Sequence, residues 1–131
     1  MTQILITEAR YSSELCNKNP NKLFVFGDNM IRRGKAGQAV IRDCDNAFGI
    51  VTKVLPSMSN QAFFSDNEKV HKMALMRDLE SLDTQFNSGK WEYIVFPKAG
   101  IGTGLAKLKL KAPQLYLYLS DHLFIKYEVQ Q

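Results

Sequence analysis

A chain of 131 residues is long enough for one hydrophobic core and too short for two comfortable ones, so residues 1–131 are expected to form a single domain. With 45% apolar and 23% charged residues it has a globular composition, which excludes a disordered or fibrous chain. A formal charge of +4 suits a phosphate-bearing or nucleic-acid partner without requiring one.

Cys16 and Cys44 lack metal-ligand spacing and read as free thiols in a reducing compartment, so no metal and no resident cofactor is expected. No apolar run approaches the ~18 residues of a membrane span, and the N-terminus has no basic region leading into an apolar core. The expected location is the cytoplasm, with no membrane partner.

In chain order, "QILIT" at 3–7 alternates weakly and can form a short first strand. "KLFVF" at 22–26 is a stronger strand candidate: branched and aromatic side chains bounded by Asn21 and Gly27, as in a buried strand. Ala36, Val40, Ile41 and Cys44 recur at helical spacing and predict a short helix over 36–44. Residues 47–64 carry Gly and Pro punctuation and are expected to supply one or two short strands or an irregular cover. Ser65-Asp66-Asn67-Glu68 has the pattern of a capping box. Behind it, Val70, Met73, Met76, Leu79, Leu82 and Phe86 predict a helix over 66–87, with Gly89 just past its end. "WEYIVF" at 91–96 predicts a strand. Pro113 can open a last helix striped by Leu115, Leu119 and either His122 or Leu123, and "LFIKYEV" at 123–129 is expected to close the chain as a strand. Strands alternating with helices predict an α/β sheet covered on both faces.

Two loops share one design. "GDNMIRRGKAGQA" follows "KLFVF", and "PKAGIGTGL" follows "WEYIVF" with Gly100, Gly102 and Gly104 alternating. Ligands of open α/β sheets bind beyond the carboxyl ends of the strands, so the loops share a functional edge if both strands are parallel and near one another. Glycines there allow backbone N–H groups to approach an anion, and successive N–H groups form a concavity for phosphate oxygens. The alternative is that both loops are only tight turns. Neither loop carries the Gly-Lys-Ser/Thr ending of a P-loop or the leading glycine fingerprint of a dinucleotide fold.

"FVFGDNMIRRGKAGQA" and "VFPKAGIGTGLAKL" together resemble the macrodomain superfamily of ADP-ribose-binding modules, and among them small phage-associated members. The likeness spans about half the chain. It implies a three-layer α/β/α fold with a mixed, mostly parallel central sheet, and ADP-ribose or a related nucleotide as ligand. An ADP-ribosylated protein or nucleic acid is an implied partner, and a phage-encoded chain would work in the host cytoplasm. By the same resemblance Gly27, Asp28 and Asn29 would face the adenosine or distal ribose. Gly34, Lys35, Ala36, Gly37 and Gln38 would wrap one phosphate, and Gly100, Ile101, Gly102, Thr103, Gly104 and Leu105 would cover the diphosphate. Two departures stand out. Ala106 sits where a hydrolytic branch carries a carboxylate, and "DCDNAFG" replaces the lysine that serves that branch as nucleophile.

Taken residue by residue, Asp28 could bond an adenine amine or a ribose hydroxyl, or cap a turn. Asn29 could orient a ribose or a water, or occupy a left-handed turn. These two are the candidate catalytic residues. Lys35 and Lys98 are the cations expected nearest phosphate. Phe48 could lie over an adenine ring or pack in the core. Asp43 and Asp45 are a close acidic pair expected to be solvated, and His71 and His122 are expected to be structural. "KLKLK" at 107–111 reads as a solvated bridge, with contact to nucleic-acid phosphates as the alternative. Besides a nucleotide-binding module, with or without removal of ADP-ribose from a modified macromolecule, two other functions compete: a ligand-independent module binding a host protein, and a weak binder of single-stranded nucleic acid.

Overall fold

The computed structural model describes residues 1–131. Strands β1 (Gln3–Thr7), β2 (Lys22–Asn29), β3 (Ala47–Lys53) and β4 (Tyr93–Pro97) form one sheet in the order β1-β4-β2-β3. All three ladders are parallel, and the sole antiparallel pairing is an isolated bridge between Lys53 and Phe63. The helices are α1 (Ser13–Asn17), α2 (Lys69–Asn87), α3 (Leu108–Lys111) and α4 (Pro113–Tyr127), with short 3-10 turns at Gly37–Ile41 and Asn60–Ala62. No helix is long and apolar enough to cross a membrane.

Strand alternation sorts the core into two layers. Leu23 and Val25 of β2, with Ile94 and Phe96 of β4, meet the α2 residues Leu75, Leu79 and Leu82 and the α4 residues Leu115, Leu119 and Leu123. Phe24 and Phe26 of β2, with Val95 of β4, face the other way onto Tyr11, Cys16, Ala39 and Ile41. A parallel strand covered on both faces must be apolar at every position, and this is why "LFVF" runs without polar interruption.

Three expected elements differ. The predicted closing strand at 123–129 does not form. Leu123 and Tyr127 extend the buried i, i+4 series of Leu115 and Leu119, so helical period governs to the end of α4, where Glu128 turns left-handed at φ 59°. The predicted helix at 36–44 contracts to the 3-10 turn Gly37–Ile41, entered through Gly37 at φ 59°, and Val40 faces solvent. Helix α2 starts at Lys69, and its stripe has a different phase: His71, Leu75, Asp78, Leu79 and Leu82 are buried while Val70 and Met73 are exposed. The capping box is absent, because Glu68 makes no side-chain cap and Asp66 instead accepts bonds from the Gln114 and Leu115 amides at the start of α4.

Candidate functional site

Strands β2 and β4 pair over only three positions, Lys22–Tyr93 to Phe24–Val95, and then part. The chain leaves β2 toward β3 on one side and enters the helices from β4 on the other, so the crevice lies at a point where the sheet changes direction. Side chains span the gap in place of a ladder. The Tyr11 hydroxyl donates to the Val25 carbonyl at 2.7 Å, with the Val95 carbonyl at 3.4 Å. Higher up, Gln38 accepts from the Gly27 amide at 3.0 Å and donates to the Gly100 carbonyl at 2.8 Å. One glutamine amide thus fastens the two glycine loops to each other.

The first loop is held from below by ions. Asp28, 6% exposed, pairs with Arg42 at 2.6 Å and Arg32 at 3.2 Å and accepts from the Asn29 amide at 2.7 Å. Arg32 also grips the buried Asp78 of α2 through both carboxylate oxygens, at 2.7 and 2.9 Å, and Asp78 accepts from the Val51 amide. Burial of Arg32 is outweighed by its bonds and attraction to Asp78 and Asp28, so its guanidinium is held above its ordinary pKa. Gly49 makes room for this cluster, since a Cβ there would collide with the Asp28 carboxylate. Asn29 donates to the Arg33 carbonyl at 2.7 Å and Arg42 binds the Gly34 carbonyl at 2.8 Å, which shapes the loop further.

What the loops leave over is donors. The consecutive amides of Gly34 to Gln38 have no acceptor in the protein, and neither do those of Gly102 to Ala106. Both runs, Thr103 apart, border one cleft of about 300 Å³, walled also by Thr52 and Lys53 at the end of β3 and by Pro56 beyond it. Unpaired N–H groups in series carry partial positive charge, here along the border of one space. Asp28 is the one acidic residue in the wall. Lys53 is only 8% exposed. Its ammonium donates to the Ser57 carbonyl at 2.7 Å and has no carboxylate partner. Burial pushes its pKa down, and the charge of Lys107 pushes it further. No group of three or more His, Cys, Asp or Glu is placed to hold a metal ion.

A family model described as a family of unknown function, DUF7831, matches residues 6–122. The chain belongs to the DUF7831 family. No curated protein and no solved structure matches it.

In this DUF7831 chain the candidate ligand residues separate into three groups. Gly27, Asp28, Asn29, Gly34, Lys35, Ala36, Gly37, Gln38, Gly102, Gly104 and Leu105 all border the cleft. Gly100, Ile101 and Thr103 support it without lining it. Ile101 is buried in the core and tied to Gln131, and Thr103 bonds the Ala99 carbonyl. Phe48 and Lys98 lie elsewhere. Phe48 packs against the α2 and α4 layer. Lys98 pairs with Glu8 at 2.7 Å beside a second cavity of about 450 Å³, which shares Gly37 and Gln38 with the lining of the cleft. Lys35 pairs with Asp43 at 2.5 Å.

Arg33, Thr52, Pro56 and Ala106 also border the DUF7831 cleft and were not among the candidates. Thr52 and Pro56 lacked any signal, because a β3 strand inside 47–64 had to be placed beside β2 before they could face the loops, whereas Ala106 directly follows the second loop. Arg33 stands inside the first glycine loop and could have been named from that position alone.

Proposed function

We propose that this protein binds ADP-ribose or a related nucleotide diphosphate, with the diphosphate lying across the two glycine loops in a macrodomain-like three-layer fold. The observation that carries this is the two runs of unpaired amides, Gly34 to Gln38 and Gly102 to Ala106, that border one cleft. Such donors stabilise a dianion without side-chain charge. The adjoining cavity beyond Gln38 leaves space for a nucleoside half of the ligand. A nucleotide-sized molecule also suits a concave site of this scale at the carboxyl edge of a parallel sheet.

Binding is favoured over hydrolysis. Both oxygens of Asp28 are engaged by arginines and by the Asn29 amide. The Asn29 amide group is spent on its own loop, and Ala106 offers no base. Incubation with ADP-ribosylated protein and, separately, with ADP-ribosylated DNA is expected to release no ADP-ribose. Release that is lost in Asn29→Ala would overturn the binding-only role.

Titration calorimetry with ADP-ribose, ATP and inorganic diphosphate tests the ligand. Gly104 is the informative position, because a Cβ there meets nothing within 4 Å and its φ is not positive. Gly104→Val is therefore expected to fold like the parent and to lose at least tenfold in ADP-ribose affinity, about 1.4 kcal/mol. Absence of saturable heat with all three ligands, or unchanged affinity in a folded Gly104→Val, would sink the assignment.

A further inference from the structure

Three lysines gather on the rim where β3 and α3 approach one another. The Lys53 ammonium lies 5.0 Å from the Phe63 ring centroid, and that of Lys111 lies 4.6 Å from the same centroid. The two charges can be no farther apart than those distances combined. Lys107 caps α3 in a left-handed conformation, and its carbonyl accepts the Lys111 amide at 2.9 Å, so the two residues stand at the two ends of this one-turn helix. Lys107 is also near enough to Lys53 for its charge to be felt there. None of the three belongs to any of the ion pairs of the protein.

An exposed lysine needs no partner, and Lys107 and Lys111 alone would be solvated side chains. Lys53 is different. The residue is only 8% exposed, feels the like charge of Lys107, and its ammonium has in return one carbonyl, one thioether and the face of a ring. A ring face and a carbonyl offset only part of the cost of burying a cation. An anion seated among the three ammonium groups would supply the rest, and the cleft wall that includes Lys53 gives it access.

We propose that Lys53, Lys107 and Lys111 form a second anion site on the rim of the cleft, which takes a phosphate group distinct from the diphosphate over the glycine loops. Two sources share that chemistry: a phosphodiester of a nucleic-acid strand and a free or terminal phosphate. Phe63 is itself buried, so the site recognises charge and not a stacked base. The assignment does not depend on ADP-ribose occupying the cleft.

The test uses the whole protein and two probes, a short fluorescein-labelled oligothymidylate followed by anisotropy and inorganic phosphate followed by calorimetry. Lys111→Gln removes a charge from an exposed helical position. Lys107→Asn removes one from a residue at φ 47°, where asparagine is well tolerated, so the double variant should fold. Lys109→Gln is the control, because Lys109 points away, over Tyr116. The double variant is expected to lose at least tenfold in affinity for one or both probes, with Lys109→Gln near the parent. Loss for the oligonucleotide, with a salt slope reduced by about 1 to 1.5 for two contacts, assigns a strand phosphodiester. Loss for inorganic phosphate alone assigns a free or terminal phosphate. Failure of both probes to bind the parent, or equal affinities in parent and double variant, would overturn the site. ADP-ribose titration of the same proteins keeps the cleft and the rim separate: a parent that binds phosphate through the rim but takes no ADP-ribose removes the cleft assignment only.

Discussion

Any side chain at position 102 has to point at Thr52. A Cβ there would come 2.9 Å from Thr52 Cγ2 and 3.3 Å from Leu108 Cβ, at φ 76°. Gly102 is therefore needed for the close approach of the second loop to β3. Gly102→Val should cost folding stability of about 2–4 kcal/mol through overlap and left-handed strain, measurable by urea titration. A variant as stable as the parent would show that the loop yields at this point. Asp28 has a similar structural weight. Asp28→Ala strands Arg42 and Arg32 and should cost roughly 2–3 kcal/mol, below the 3–5 of a fully buried pair because Arg32 is half-exposed.

At the level of elements, Gln38 does work that the sheet leaves undone. With β2 and β4 parted above Phe24 and Val95, its amide is the bond that joins the loops. Gln38→Leu keeps the bulk and removes both bonds, so a loss of about 1–3 kcal/mol is expected together with faster amide exchange confined to 27–38 and 98–104. Exchange that accelerates uniformly would argue against a local clasp.

The union of α2 with α4 has its own signature in pH. Burial raises the Tyr127 phenol well above its ordinary 10.0, and its bond to Asp83 raises it further. The unfolded phenol ionises near that ordinary value while the folded one keeps its proton. The contribution is fully present below pH 10 and is lost as pH climbs beyond it. Tyr127→Phe should therefore flatten the alkaline fall of the thermal midpoint. It should do so only in part, since burial raises the phenol of Tyr11 in the same direction.

Over the whole molecule, the sheet order β1-β4-β2-β3 places the ends of β2, β3 and β4 side by side and gathers the cleft, the glycine loops and the three lysines at one edge. The opposite sheet edge and the outer faces of the helices add nothing to it. The clamp from Asp28 through Arg32 to Asp78 ties this edge to α2, so the loop that would meet a diphosphate is anchored in the main core. A preorganised site of this kind spends little on ordering when a ligand arrives.

Strands β1, β2 and β4, the existence of the two long helices and the pairing of glycine loops with strand ends were legible in the sequence, because each depends on neighbours within a few positions: "LFVF" between turn residues, Pro113 at a helix start, Gly89 after a helix end. The phase of α2, the fate of 123–129 and the use of Asp66 were not, because each is chosen by what packs from far along the chain. Asp78 turns inward to meet Arg32, Tyr127 turns inward to meet Asp83, and Asp66 caps a helix nearly fifty residues away. The same division runs through the site. Local spacing marked Gly34 to Gln38 and Gly100 to Leu105, whereas tertiary structure alone decided that Gln38 would bridge them, that Lys98 would turn aside to Glu8, and that Lys53 would be buried with two lysines beside it. Backbone conformation is a short-range property. Charge and burial are settled by distances that only the folded chain defines.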